Sequence, residues 1–421
     1  MTNVYNELEK RGFLDQLSDN NLKKILAKKV NCYVGFDPTS DSLHLGNFVG
    51  IMALYWFKKY GHKVYSLIGG ATGRIGDPSG KSVERPFLDD NEILKNVFSI
   101  KSFFHNLLGK DVTVINNNDW FKDMSFVDFL RDIGKHFRMG PMLAKESVKL
   151  RMQSEEGMSF TEFSYQILQA YDFYYLFKAN NISLQMGGSD QWGNIIAGIE
   201  LVRKLSRKTV YGMTFPLLTR SDGKKFGKSE KGAIWLNENK LSYFDFYQYF
   251  ISIPDKDVIK MLKMLTILSL EEISEIEDQM QKSSYVPNTA QKKLAEQVTK
   301  FIHGKNGLDA ALKVTQASAP GADACLDFST LKNVEDQMSC KHLNFNDVIG
   351  KKYSEIACQI HLVTSKSEAT RLIKNNGAYL NNRKILDINY VISKNDLIQS
   401  TYIVFGAGKK KKILVKIKKS N

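Results

Sequence analysis

Apolar positions along the first half of the chain fall into short runs separated by longer, periodic ones. Residues 30–36, 63–68 and 112–115 are brief apolar stretches, each running into a polar or glycine-rich turn. Runs of that length, bounded by turn residues, predict β-strands. Residues 48–60 and 160–179 have helical length and period, and the second opens on Ser159 and Glu162 at the spacing of a capping box. Strands alternating with helices predict a parallel sheet covered by helices, the α/β class. From about residue 241 to 314 the strand pattern fades and Leu, Ile, Lys and Glu recur at helical spacing, so a helical region is expected. Residues 316–324, rich in Ala, Ser, Gly and Pro, read as a linker that lets the following module move.

Composition narrows the class. The chain has 421 residues, 43% hydrophobic and 25% charged, with 29 Gly and 8 Pro, which excludes fibrous, collagen-like and disordered proteins. Such a length suits two or three folding units. The longest apolar run, 48–57, is too short to cross a bilayer, so no membrane partner is expected. Acidic Glu7, Glu9, Asp15 and Asp19 mix with basic residues near the N-terminus, which predicts neither a secretory nor a transit peptide. Cys32, Cys325, Cys340 and Cys358 form no C-x-x-C pair, which disfavours a zinc ribbon or a disulfide framework and fits a reducing cytosol. Net charge is +14, and most of it is local: from Lys341 onward 16 Lys and Arg oppose 5 Asp and Glu. That surplus marks a basic C-terminal module suited to phosphate contact.

Several segments could carry chemistry. GFDPTSDSLHLGN, residues 35–47, lies between a strand and an apolar helix, where backbone amides at a helix N-terminus favour an anion. Gly46 would admit a nucleotide close to the backbone, and His44 and Asn47 could donate to phosphate without adding net charge. RSDGKKFGKS, residues 220–229, gathers Lys224, Lys225 and Lys228 in a loop able to close over a polyphosphate, where Lys225 and Lys228 would stabilise a leaving pyrophosphate. Taken alone, such a lysine run is more often simply solvated. On the 160–179 helix, Tyr165, Gln169 and Asp172 fall at i, i+4 and i+7 and share a face. Phe163, Ile167, Leu168 and Phe173 make that helix apolar enough to bury, so a carboxylate there needs a partner; a pocket and an exposed polar face both suit it. GGATGRIGDPSGKS, 69–82, and QMGGSDQWGN, 185–194, place Asp77, Asp190 and Gln191 near strand ends, where ligands of open α/β sheets collect.

In this order, the H-x-G-N and K-F-G-K-S elements resemble the HIGH and KMSKS signatures of class I aminoacyl-tRNA synthetases. GFDPTSDSLHLGN, GGATGRIGDPSG, FTEFSYQILQAYDF, GGSDQWGNI and KFGKS narrow this to a resemblance to bacterial-type tyrosyl-tRNA synthetases over nearly the whole chain. The resemblance implies a Rossmann-like parallel-sheet catalytic domain over 1–222, the KFGKS loop and an α-helical domain over 223–318, a linker over 319–340, and a small α+β basic RNA-binding domain over 341–421. In that last domain 364–385 would be the core, with Lys366, Arg371, Lys374 and Arg383 facing RNA. The implied reaction is activation of L-tyrosine with ATP to tyrosyl-adenylate, then transfer to the 3′-terminal ribose of tRNA(Tyr).

Carried over residue by residue, Tyr33 and Asp172 would meet the phenolic hydroxyl, Asp77, Tyr165 and Gln169 the amino group, and Gln191 the carboxylate and α-phosphate. ATP would lie against Gly35, Asp37, His44, Gly46, Asn47 and Asp190, with Lys225 and Lys228 on the pyrophosphate; His44, Asn47, Lys225 and Lys228 would carry the catalysis. Lys81 and Arg85 would assist with phosphate or the tRNA acceptor end. Mg2+ would enter with ATP as substrate, with no protein-bound metal or organic cofactor and no inserted editing domain. A homodimer is implied, with residues 135–148 as its expected interface, and the cysteine usage above gives the cytoplasm as the expected setting. One departure is Asn47, where the family's signature ends in histidine; an amide donates the same hydrogen bond as a neutral imidazole. Rival readings are another nucleotidyl transferase, the neighbouring tryptophanyl enzyme, and a non-catalytic RNA-binding or splicing protein that retains a synthetase fold. Binding of tyrosine and ATP without RNA would separate the last from an enzyme.

Overall fold

The computed structural model describes residues 3–79, 88–153, 157–221, 226–229, 232–317, 340–408 and 411–418. Lys81, Arg85, Lys224, Lys225 and the linker from residue 318 lie outside the described residues, and Lys228 is described through its backbone alone. Residues 316 and 317, read as linker, are instead the end of a helix, Thr289–Ala317. Contacts divide the chain into two units: Met1–Asn237 with Pro254–Ala290, and Glu238–Ile253 with Gln291–Asn421.

The first unit is built on five strands, β1 (Asn31–Phe36), β2 (Lys63–Ile68), β3 (Thr113–Asn116), β4 (Ile182–Gly188) and β5 (Tyr211–Phe215), in the order β3-β2-β1-β4-β5. Every neighbouring pair is parallel. Alternation along β1 assigns the two faces. Val34 and Phe36 point toward α1 (Phe48–Lys59) and α2 (Asp90–Leu108): a Cβ on Gly50 would stand 3.3 Å from Val34 Cγ1, and the Phe36 and Phe104 rings lie 5.0 Å apart. Tyr33 points the other way and meets Phe173 of α3 (Phe160–Asn180) edge-on at 5.6 Å. Helix α4 (Trp192–Ser206) packs beside α3 on that face, close enough that a Cβ on Gly212 of β5 would stand 2.3 Å from Ile195 Cγ2. Helices therefore cover both faces, as the strand–helix alternation requires.

Local chemistry sets the helix ends. Ser159 Oγ accepts from the Glu162 N–H at 3.1 Å, and Asn181 closes α3 in the left-handed region at φ 52°. The Glu162 carboxylate pairs with Arg151 at 2.7 Å, with both side chains buried, a use of this residue that the capping-box spacing does not reveal. Arg11 is likewise interior: its guanidinium stacks over Trp56 at 4.0 Å and donates to the carbonyls of Lys263 and Leu268, at the end of helix Asp255–Leu265. The aliphatic and ring positions of α1, Phe48 to Phe57, are buried almost throughout, which explains their continuous apolar run.

β1 leads through α1 to β2 on one side, whereas β4 leads through α4 to β5 on the other. The chain thus reverses direction across the sheet between β1 and β4, and the carboxyl ends of these strands open a crevice there.

The second unit contains the helix Tyr243–Ile251 and, from Gln291 onward, the helix Thr289–Ala317, which is broken at Gly304 with φ 69°. Its sheet runs Arg383–Lys384, Ala378–Leu380, Tyr402–Ala407, Lys411–Lys418, Cys340–Asn344, antiparallel except for the last pair. Asn381 and Asn382, both at positive φ, make its two-residue hairpin turn. Helices Tyr353–Gln359 and Lys366–Lys374 complete a core around Tyr353, Ile356, Ile373, Ile403 and Phe405.

Candidate active site

A cleft of about 330 Å³ occupies the crevice at the ends of β1 and β4. Tyr33, Asp77, Tyr165, Gln169, Asp172 and Gln191 all line it, together with Gly35, Asp37, His44, Gly46, Asn47 and Asp190. Residues up to about 160 positions apart in the chain therefore meet at one place, and the shared face of Tyr165, Gln169 and Asp172 is the wall that α3 contributes.

At its closed end, Asp172 is buried and accepts from Trp120 Nε1 at 3.0 Å and from Asn117 Nδ2 at 3.2 Å. Burial pushes its carboxyl well above the usual carboxylate range; the two donors oppose that shift, and the Asp37 charge adds to it. Tyr33 is 1% exposed, and its hydroxyl has no hydrogen-bond partner among the described residues. Burial and then the nearby Asp172 raise this phenol well above its ordinary value, so it stays protonated and able to donate. An unsatisfied buried hydroxyl beside a carboxylate is costly unless a polar ligand completes it. Asn117 and Trp120 escape a motif reading because they follow β3, far in sequence from α3. The run of three asparagines, an aspartate and a tryptophan at 116–120, polar at a strand end, is the signal that could have found them.

Midway along, Asp77 accepts from Gln191 Nε2 at 2.6 Å, from its own loop at Ser79 N at 3.0 Å, and more loosely from Asn194 Nδ2 at 3.5 Å. Asn194 also donates to Gln169 Oε1 at 3.0 Å, and Lys145 Nζ reaches Asn194 Oδ1 at 3.4 Å. Burial lowers Lys145 to about 8, against the pull of Asp77. Neither Asn194 nor Lys145 stands out in the sequence. Tyr165 donates to Asp37 Oδ2 at 2.9 Å; burial and the carboxylates around it hold its phenol protonated. Three carboxylates, Asp37, Asp77 and Asp172, thus surround one stretch of cleft, an arrangement that favours a cationic group.

The open end is made by the loop before α1. His44 Nδ1 accepts from the Gly46 N–H at 3.0 Å, and Asn47 Oδ1 accepts from the His44 N–H at 3.1 Å. The carbonyl half of the Asn47 amide is thereby committed, which leaves Nδ2 as the half that can donate into the cleft. A Cβ at Gly46 would press within 2.8 Å of the His44 ring, whereas one at Gly35 would meet nothing within 4 Å and stand in the cleft. The KFGKS segment comes to the same place: Leu45 N donates to Ile234 O at 2.8 Å, Ile234 N to Gly227 O at 2.8 Å, and a Cβ on Gly227 would lie 3.3 Å from Gly46 N. Two elements some 180 residues apart are joined by main-chain bonds, with Lys228 and Ser229 opening the short hairpin that follows.

Comparison with known proteins gives the family. The family described as "tRNA synthetases class I (W and Y)" matches residues 25–318, and a "Tyrosine–tRNA ligase SYY-like C-terminal domain" matches residues 349–415. A tyrosine–tRNA ligase of Protochlamydia amoebophila is 49% identical over 99% of both chains. The chain belongs to the tyrosine–tRNA ligase family. A chloroplastic/mitochondrial tyrosine–tRNA ligase of Arabidopsis thaliana is also 49% identical, over 99% of this chain and 84% of its own. Among solved structures, a C-terminally truncated mitochondrial tyrosyl-tRNA synthetase of Aspergillus nidulans superposes with a TM-score of 0.65 at 35% identity, covering 74% of this chain and 92% of its own.

The first family match contains every residue placed around the cleft, and the tyrosine–tRNA ligase C-terminal match contains the four basic residues singled out for RNA. Lys366, Arg371, Lys374 and Arg383 are all exposed. Lys366 pairs with Glu355 at 2.9 Å, so part of its charge is already answered.

Proposed function

We infer that the chain activates L-tyrosine with MgATP and transfers the tyrosyl group to the 3′-terminal ribose of tRNA(Tyr). The observation that carries this reading is one cleft with a sealed, doubly donated carboxylate at one end and a phosphate-type loop at the other. Tyrosine would enter with its hydroxyl toward Asp172 and Tyr33. Its ammonium would sit among Asp77, Tyr165 and Gln169, and Gln191 would face the carboxylate.

A tyrosine carboxylate oxygen then attacks the α-phosphorus in line, the bond to the β-phosphate oxygen breaks, and pyrophosphate leaves. No side chain needs to become covalently bound, so the protein contributes positioning and electrostatic stabilisation. Asp37, Gly35, Gly46 and Asp190 would hold the nucleotide, and His44 and Asn47 would donate as charge builds on the phosphates. Lys225 and Lys228 complete the proposal on the pyrophosphate side, with magnesium arriving on ATP. In the second step a terminal ribose hydroxyl attacks the acyl carbon, AMP leaves, and the hydroxyl proton goes with the departing phosphate. Catalysis is assigned to residues 1–222 and the loop after them, and tRNA contact to 341–421, through Arg371, Lys374 and Arg383 with Lys366.

A homodimer completes the reading. Phe126, Val127, Met139, Leu143, Leu150 and Phe160, in and around residues 135–148, are large apolar side chains left exposed, a surface that a second copy would cover. No described helix is long and apolar enough to cross a membrane. Cys32, Cys340 and Cys358 are free thiols, which supports a reducing cytoplasm as the setting. The test is attachment of labelled tyrosine to tRNA by the purified chain: acid-stable label on tRNA that requires ATP is expected, and tyrosine and ATP consumption with no charged tRNA would contradict the transfer step.

A further inference from the structure

The GGATG stretch at residues 69–73 resembles part of the family pattern, yet no role follows for it from the sequence. In the structure it carries a continuous hydrogen-bond chain between two carboxylates of the cleft. Thr72 Oγ1 donates to Asp37 Oδ1 at 2.8 Å, Asn117 Nδ2 donates to Thr72 Oγ1 at 2.9 Å, and the same Nδ2 donates to Asp172 Oδ2 at 3.2 Å. Thr72 is 2% exposed and Asn117 fully buried, so water does not compete.

The direction of every bond is fixed. An amide nitrogen only donates, so Thr72 Oγ1 accepts from Asn117 and its single proton goes to Asp37. Asn117 Oδ1 is taken by the Ala71 N–H at 2.7 Å, which turns the amide so that Nδ2 serves both Thr72 and Asp172. The chain also explains a glycine: a Cβ at Gly69 would lie 2.1 Å from Asp37 Oδ1 and 2.3 Å from Thr72 Oγ1. Any side chain there would displace the Thr72–Asp37 bond.

We propose that Thr72 is a positioning residue that ties Asp172, the acceptor at the phenol end, to Asp37 at the nucleotide end, so that recognition of the substrate hydroxyl is felt where activation occurs. This rests on the tyrosine-activating reading above. Asp37 also receives the Tyr165 hydroxyl, so loss of the Thr72 bond reaches the amino-group subsite as well. A substrate with a hydroxyl needs both ends of the chain; phenylalanine needs only the Asp37 end. Removing Thr72 Oγ1 therefore harms tyrosine more than phenylalanine.

The test uses Thr72→Val, which keeps the shape and loses the hydroxyl, beside Thr72→Ser, which keeps it, in the full chain. The readout is pyrophosphate exchange into ATP with tyrosine and with phenylalanine. Thr72→Val should lower kcat/KM for tyrosine by about 10- to 100-fold, the range for losing one hydrogen bond to a charged group, and narrow the tyrosine:phenylalanine ratio. Thr72→Ser should stay near the parent ratio. Equal losses for both amino acids, or a Thr72→Ser variant no better than Thr72→Val, would overturn the proposal while leaving the activity standing. A parent protein without tyrosine-dependent exchange would instead overturn the underlying reading and the proposal with it. If Thr72→Val does not fold, Thr72→Ala, which adds no atom, is judged by the same ratio.

Discussion

The two ends of the cleft achieve polarity in opposite ways. At the phenol end the groups are side chains, buried, and locked by other side chains: Trp120 and Asn117 on Asp172, and Thr72 behind Asn117. At the signature end, main chain does much of the holding. His44, Gly46 and Asn47 bond to one another's backbone, and Ile234 and Leu236 are tied to Leu45 and Leu43 by backbone bonds, with Gly227 held to Ile234. The difference matches the tasks assigned to each end. A site that must reject a substrate lacking one hydroxyl needs buried partners left unpaired by the wrong ligand, a discrimination this enzyme family is known for. A site that must receive a polyphosphate and release pyrophosphate needs donors and room to move.

Substitutions can break this comparison at either end. Asp172→Ala removes the acceptor assigned to the substrate hydroxyl and leaves two buried donors, Trp120 Nε1 and Asn117 Nδ2, without their partner, and should lower kcat/KM for tyrosine by about 10³-fold. Steady-state exchange kinetics would check it; a loss no greater than that of a surface aspartate would remove the phenol end from the account. Asn47→Ala should reduce adenylate formation by about 10²-fold, as for one preorganised donor, while Asn47→His changes the rate little. Single-turnover rates decide this, and an Asn47→Ala variant equal to the parent would sink the role given to that amide.

The smallest effect expected concerns stability. A carboxyl raised in the folded state binds its proton more tightly there than in the unfolded chain, where an aspartate titrates at about 3.9. Its stabilising contribution is therefore complete below that value and is lost as pH rises through the folded one. Asp172→Asn cannot ionise, so its stability relative to the parent should grow as pH rises above about 4. Urea unfolding at several pH values measures this, and a constant difference would mean that Asp172 is not destabilised by burial.

Much of the fold is legible in sequence because local patterns and global architecture agree. The strand expected at 30–36 is β1 within one residue, that at 63–68 is β2, and α1 and α3 begin where their patterns begin. Residues supplied by short motifs were legible too, since a strand end followed by His44-Leu45-Gly46-Asn47 already fixes where those groups stand. What motifs could not supply is the scaffold behind them. Asn117 and Trp120 reach Asp172 from the start of the short helix Asn118–Phe121 after β3, and Thr72 meets Asp37 and Asn117 only once β1, β2 and β3 lie side by side. Glu162 shows the limit from another side: its spacing from Ser159 marks a helix start, but the buried Arg151 that it pairs with is a tertiary fact.

The most direct test of the account is tyrosine-dependent exchange of pyrophosphate into ATP by the purified chain, which needs neither tRNA nor the basic C-terminal module. Exchange with tyrosine and not with phenylalanine or tryptophan is the result the two ends of this cleft predict. A folded protein that exchanges with none of the amino acids, yet binds RNA, would contradict it and leave the fold as an RNA-binding scaffold.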